Sequence, residues 1–223
     1  MESLFQIKAG NIKIPNPIAL SPMPGITDAK YALEFAKGAG LVIFGPYNLD
    51  WVSKEAAEEA VRNGNKEFIF ENPLEEIEKE IKNYREKESG AVAVSVRAVT
   101  IEKMVEAAKF FKENNVIIEL DAFTEQPEFT ERGLGQAYFE DKELFREIIS
   151  KVKKTGVVLS VKYRSSIEPP KDTASFLDEA CVDIIHIDAI KPDGGPDFKA
   201  VNTVRNTTNK LIIANNSVTD FSV

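Results

Sequence analysis

Short apolar runs rich in β-branched residues alternate along the chain with longer segments whose apolar residues recur every three or four positions. The runs are 17–23, 41–47, 91–97, 116–123, 157–164, 182–189 and 211–217. Most are apolar throughout rather than alternating, which is the pattern of parallel strands covered by helices. Helices are predicted over 28–37, 73–87, 100–114, 141–154 and 170–179, with an extra one near 53–63 ahead of 66–70. Repeated strand–helix alternation predicts an α/β fold, either a closed barrel or an open doubly wound sheet. The first strand leads into Ser21-Pro22-Met23-Pro24-Gly25 rather than a Gly-rich dinucleotide turn, and polar residues gather at the C-terminal ends of many strands. Both observations favour a single-domain TIM (β/α)8 barrel.

The count of strands stops one short. Val218-Thr219-Asp220-Phe221 reads as the opening of the next helix, and the eighth strand and its helix are absent from the chain. A missing stave would expose two parallel strand edges. The expectation is therefore a truncated product, a disordered tail, or a gap covered by a partner, a homo-oligomer included.

Composition narrows the partners. Hydrophobic residues make up 43% and charged residues 29% of the 223, as in an ordinary globular protein. The formal net charge is −8, and lysines are interspersed with glutamates, as in Glu75-Glu76-Ile77-Glu78-Lys79-Glu80-Ile81-Lys82. No basic stripe is present to recruit nucleic acid by charge. Cys181 is the single cysteine, which excludes an internal disulfide and a thiolate metal cluster; it reads as buried packing. No apolar run is long enough for a membrane span and the first residues do not form a signal peptide, so a cytoplasmic location is expected.

Candidate chemistry sits at the strand ends. Pro24-Gly25 forces a turn after the first strand, with Thr27 or Asp28 able to cap the next helix. In Val161-Lys162-Tyr163-Arg164, Lys162 and Arg164 share one face of the fifth strand. Two cations there need either an anionic ligand or acidic neighbours, for which Glu119 and Asp121 on the fourth strand are available. His186, the single histidine, lies two residues from Asp188 near the end of the sixth strand, as either a proton carrier or a hydrogen-bonded core residue. Asn215-Asn216-Ser217 end the seventh strand, where barrels often bind phosphate, although the same residues would serve a turn and N-cap. The long fourth loop, 121–136, has the length of a segment that covers substrate.

In order along the chain, these segments resemble the flavin-dependent tRNA-dihydrouridine synthases, in a short archaeal-type branch. Ser21-Pro22-Met23-Pro24-Gly25-Ile26-Thr27-Asp28 is similar to that family's A-P-M-A-G-V-T-D. Gly133-Leu134-Gly135-Gln136-Ala137 resembles its G-A-G-A-A, Val161-Lys162-Tyr163-Arg164 its V-K-x-R, His186 its H-G-R histidine and Asn215-Asn216-Ser217 its N-G-D. The resemblance implies FMN across the barrel mouth, with Pro22 and Met23 against the ring and Lys162 at its N1/O2 edge. It places His186 near the ring or ribityl chain and Asn215 and Asn216 near the phosphate. Ser95 falls where a family glutamine bonds the ring, Asp121 replaces an asparagine, and Thr124 replaces the cysteine that acts as general acid. The implied function is an FMN-dependent oxidoreductase reducing a uracil-like C=C, with hydride from flavin and His186 or Asp188 carrying protons. The substrate would be a small molecule or nucleoside; tRNA is implied by the family but not supported by charge. The alternatives are a non-catalytic flavin-binding or scaffold barrel and a dihydroorotate-dehydrogenase-like enzyme.

Overall fold

The computed structural model describes residues 5–216, so Ser217 and the helix opening expected at 218–221 lie outside the described residues. The chain begins with a hairpin, β1 (Ile7–Ala9) and β2 (Ile12–Ile14), turned at Gly10 with φ +57°. Seven parallel strands then follow one another in chain order around a nearly closed barrel. They are β3 (Ala19–Leu20), β4 (Leu41–Asn48), β5 (Ala91–Arg97), β6 (Ile117–Asp121), β7 (Leu159–Arg164), β8 (Ile184–Asp188) and β9 (Leu211–Asn215). The TIM-barrel expectation holds, with β3 and β9 as the two edges of the sheet among the described residues.

β3 keeps only two of its seven expected residues because Pro17, Pro22 and Pro24 have no N–H to give a ladder. Pro46 interrupts β4 for the same reason, and the pairing of β4 with β5 shifts register between Phe44 and Tyr47. The helices are α1 (Ala29–Phe35), α2 (Trp51–Arg62), α3 (Pro73–Arg85), α4 (Ile101–Glu113), α5 (Pro127–Thr130), α6 (Lys142–Lys153), α7 (Pro170–Glu179) and α8 (Phe198–Thr207). Their starts were readable. Asp28 and Asp141 accept from the N3 amides of α1 and α6, and α3 and α7 open on proline. The hairpin and α8 were not expected: the strands of the first are three residues each, and α8 buries only Ala200 and Val204.

Two apolar layers hold the barrel. Outward residues such as Val42, Phe44, Ile118, Leu120, Val161 and Ile185 pack beneath the helices. Inward, Leu41, Ile43, Ala93, Ile117, Val158 and Ile184 form a floor, and the hairpin plugs it from below with Ile12 and Ile14. Among the described residues no helix is long and apolar enough to cross a membrane.

Asp50 ties the mouth end together. Its Oδ1 accepts from Ser53 N at 2.9 Å, capping α2, while Oδ2 accepts from Val99 N and Thr100 N at 2.8 Å each. Burial works to raise this carboxyl, but the Ser53 and Thr100 donors overcome it and hold it below the usual range. Asp50→Ala should orphan three backbone amides and cost roughly 2–4 kcal/mol. Asp50→Asn, keeping one acceptor oxygen, should cost less. Urea denaturation of the two variants checks the order.

Candidate active site at the barrel mouth

Every second residue of each strand points inward, so the barrel interior is built in levels. Above the apolar floor, Ser95, Glu119 and Ser160 are neighbours in register on β5, β6 and β7. Glu119 Oε2 accepts from Ser160 Oγ at 2.9 Å and lies 2.8 Å from His186 Nδ1. An ionised carboxylate only accepts, so the ring hydrogen is assigned to Nδ1. Both side chains are fully buried. Burial pushes the Glu119 carboxyl up, but His186, the Lys162 charge and the Ser160 hydroxyl together hold it below its ordinary value.

The next level borders the barrel mouth. Arg97 Nε donates to Asp121 Oδ2 at 2.7 Å, and its Nη1 reaches both Glu67 oxygens at 3.0 and 3.1 Å. The same guanidinium lies 4.3 Å from the Phe129 ring centroid. Two carboxylates share one guanidinium here, and burial with Asp121 nearby pushes the Glu67 carboxyl up against the pull of Arg97. Glu67 reaches this position because Phe68 bridges to Tyr47 beside β4. Arg164 Nη2 donates to Asp188 Oδ2 at 3.2 Å, its Nη1 lies 3.5 Å from Glu125, and its guanidinium stacks 3.8 Å from Phe123. Asn216 Nδ2 donates to the other Asp188 oxygen at 2.9 Å.

Lys162 differs from both arginines. Its Nζ reaches only neutral oxygens, Pro22 O at 3.3 Å and Ser21 Oγ at 3.4 Å. Among the described residues no carboxylate closes to ion-pair distance, although Asp121 is its register partner on β6. Lys162 is nonetheless only 7% exposed. It faces a cavity of about 250 Å³, also lined by Pro22, Arg97, Asp121, Thr124 and Arg164.

The expected site residues divide accordingly. Pro22, Asp121, Thr124 and Lys162 meet at this cavity. Met23 does not line it; its carbonyl accepts from Ile26 N and Thr27 N to close the β3 turn. Ser95 and His186 are fully buried and do not line this cavity, although His186 is the register partner of Lys162 on β8. Asn215 and Asn216 face a separate cavity of about 400 Å³ in the gap between β3 and β9. The acidic partners expected for Lys162 bind elsewhere: Asp121 to Arg97, Glu119 to His186 and Ser160. The loop 121–136 folds into α5 and the start of a 3₁₀ turn (Gly135–Phe139). There Gly135, at φ +65°, lies so close that a Cβ would come within 2.3 Å of the Thr124 methyl. Cys181 is exposed at φ +63° in the turn after α7, not packed in the core as expected. Arg97 and Glu67 were missed. The alternation of Ser95 and Arg97 along β5 was a readable sign of inward polar residues, whereas nothing in 66–70 marked Glu67.

Flavin does not fit this arrangement. The cavity, at about 250 Å³, is smaller than the roughly 300–1,000 Å³ of pockets for drug-sized ligands, and the ion-paired Arg97 and Asp121 form part of its wall. His186 is sealed in the interior, and Asn216, one of the two asparagines expected at the phosphate, holds the Asp188 carboxylate instead. Among the described residues no group of three or more His, Cys, Asp or Glu could hold a metal ion.

No family model matches the chain. The sequence is 32% identical over 215 residues to MJ0144 of Methanocaldococcus jannaschii, covering 92% of this chain and 82% of that protein. The chain belongs to the MJ0144 family. MJ0144 is itself uncharacterized, so the kinship brings no activity with it. In structure this MJ0144-family chain resembles one from the tryptophan synthase a2b2 complex of Pyrococcus furiosus, at a TM-score of 0.55 and 12% identity, over 92% of this chain and 79% of that one. That likeness is of fold, and it is to a barrel from a tryptophan synthase rather than from a flavin oxidoreductase. With the poor fit to FMN, it overturns the expected FMN-dependent oxidoreductase, along with the flavin-binding scaffold and the dihydroorotate-dehydrogenase-like alternative.

The buried pair gives a stability test for this family member. Leaving a buried polar group without its hydrogen-bond partner costs about 1–3 kcal/mol, and more for a charged one, so Glu119→Ala and His186→Ala should each lose stability on at least that scale near neutral pH. A carboxyl held below its unfolded value contributes stability above the unfolded pKa and loses it as pH falls through the folded one. The gap between wild type and Glu119→Gln should therefore be full above an ordinary glutamate value of 4.5 and shrink progressively below it. Denaturant melts from pH 7 to pH 3 measure it.

Proposed function

We propose that the protein is an enzyme whose barrel mouth binds a small anionic substrate and acts on it by acid–base chemistry centred on Lys162. The observation that carries this reading is a buried ammonium facing a cavity with no carboxylate at ion-pair distance among the described residues. Burying a charge is costly unless a partner of opposite sign meets it, and a bound carboxylate or phosphate would be that partner. Two further groups at the cavity have unused capacity among the described residues: Arg164 Nε as a donor and Gln126 Oε1 as an acceptor. Together they suit a small anion carrying a hydroxyl or other donor group.

Asp121 is the base in this reading. Its Oδ2 is held by Arg97, while Oδ1 takes no bond among the described residues and borders the cavity beside Lys162. A fixed carboxylate next to a bound anion's carbonyl can remove a proton from the adjacent carbon, and Lys162 can stabilise the enolate that results. The position at the C-terminal ends of the strands is where barrel enzymes place their chemistry. The size of the cavity favours a metabolite of a few carbons over a nucleoside.

Thermal melts against a panel of small mono- and dicarboxylates, hydroxy acids and inorganic phosphate test this. At a hundredfold excess over Kd, a true ligand should raise Tm by about 5–10 °C. Lys162→Met should abolish the rise. A panel without a saturable shift, a shift that survives Lys162→Met, or a yellow purified protein carrying FMN would contradict the proposal.

A further inference from the structure

We propose that Lys162 bonds covalently to its substrate, forming an imine with the carbonyl carbon of a small 2-oxo acid. This rests on the anion-binding reading above and specifies its substrate class. Three inward carboxylates lie on the strands nearest Lys162, and each is engaged by another group. Asp121 is held by Arg97, Glu119 by His186 and Ser160, and Asp188 by Arg164 and Asn216. The amine is thus fixed by two long bonds to neutral oxygens and can turn toward a ligand. Arg164 borders the same cavity and its Nε takes no bond among the described residues, so a substrate carboxylate can be shared between that guanidinium and the lysine's surroundings while Nζ meets the carbonyl carbon. A desolvated lysine beside other cations is the usual setting of an amine nucleophile.

The step balances without any further reactant. The ammonium first gives one proton to solvent or to the carboxylate of Asp121, which frees the nitrogen lone pair to attack the carbonyl carbon; the C–N bond forms and the C=O pair moves to oxygen, which takes a proton. That oxygen then leaves as water, carrying away two of the three hydrogens of the original ammonium. The third hydrogen and the positive charge stay on the iminium, and nothing is oxidised or reduced. The Ser21 hydroxyl, 3.4 Å from Nζ, and the Asp121 carboxylate are placed to pass the protons between nitrogen and oxygen. The iminium then makes the neighbouring C–H more acidic toward Asp121, so the reaction class is enamine formation followed by addition, cleavage or exchange at that carbon.

The test treats the purified protein with pyruvate or glyoxylate and borohydride, then maps the adducts by peptide mass spectrometry. Lactate, which has no carbonyl, serves as the paired ligand in thermal melts. The inference expects a saturable adduct concentrated on Lys162, heavier by the mass of the probe less one oxygen atom, and suppressed by excess lactate. Lys162→Arg keeps the charge, so it should retain most of the Tm rise with lactate and lose the adduct at that position. If lactate raises Tm but neither oxo acid marks Lys162 above the surface lysines, covalent capture is wrong and the anion site stands. If neither lactate nor the oxo acids shift Tm and no adduct forms, both readings fail together. The mapping on the wild-type protein decides the question even if the arginine variant does not fold.

Discussion

Arg97 lies across the barrel mouth with its guanidinium shared between Asp121 and Glu67, and the character of the site depends on this one arrangement. It takes Asp121 away from its register neighbour Lys162, shrinks the mouth to a small cavity, and lays a cation against Phe129 of α5. The level below repeats the pattern, with Glu119 held between His186 and Ser160. Lys162 is the inward cation near the mouth that these pairings leave without a carboxylate.

The barrel was legible because its strands are continuous apolar runs between capped or proline-started helices, each signal local in sequence. Where prolines or thin apolar stripes weakened those signals, as in β3 and α8, the expected boundaries slipped or the element was missed. That Lys162, Asp121 and Thr124 line the mouth cavity was legible because strand ends can be counted from the runs. The level at which a side chain sits could not be counted this way. His186 lies only two residues before Asp188 on β8, yet one is sealed in the interior and the other meets Arg164 at the mouth.

Motif order along the chain suggested a flavin barrel, and the geometry shows why order was insufficient. The same strand ends can carry a wide seat for a ring or a narrow cavity, depending on what lines the mouth. Arg97 forms part of that wall here, ion-paired to Glu67, a residue supplied from outside the strands by the segment that pairs with Tyr47. Long-range ion pairs of this kind leave no spacing pattern to read.

The most direct measurement is a crystal structure of the protein soaked in trichloroacetate, an unreactive small carboxylate whose chlorines mark it by anomalous scattering. The account expects an anomalous peak in the cavity with the carboxylate bonded to Lys162 or Arg164, and Asp121 still on Arg97. A structure with Lys162 paired to Asp121 or Glu119 and no chlorine at the mouth would contradict it.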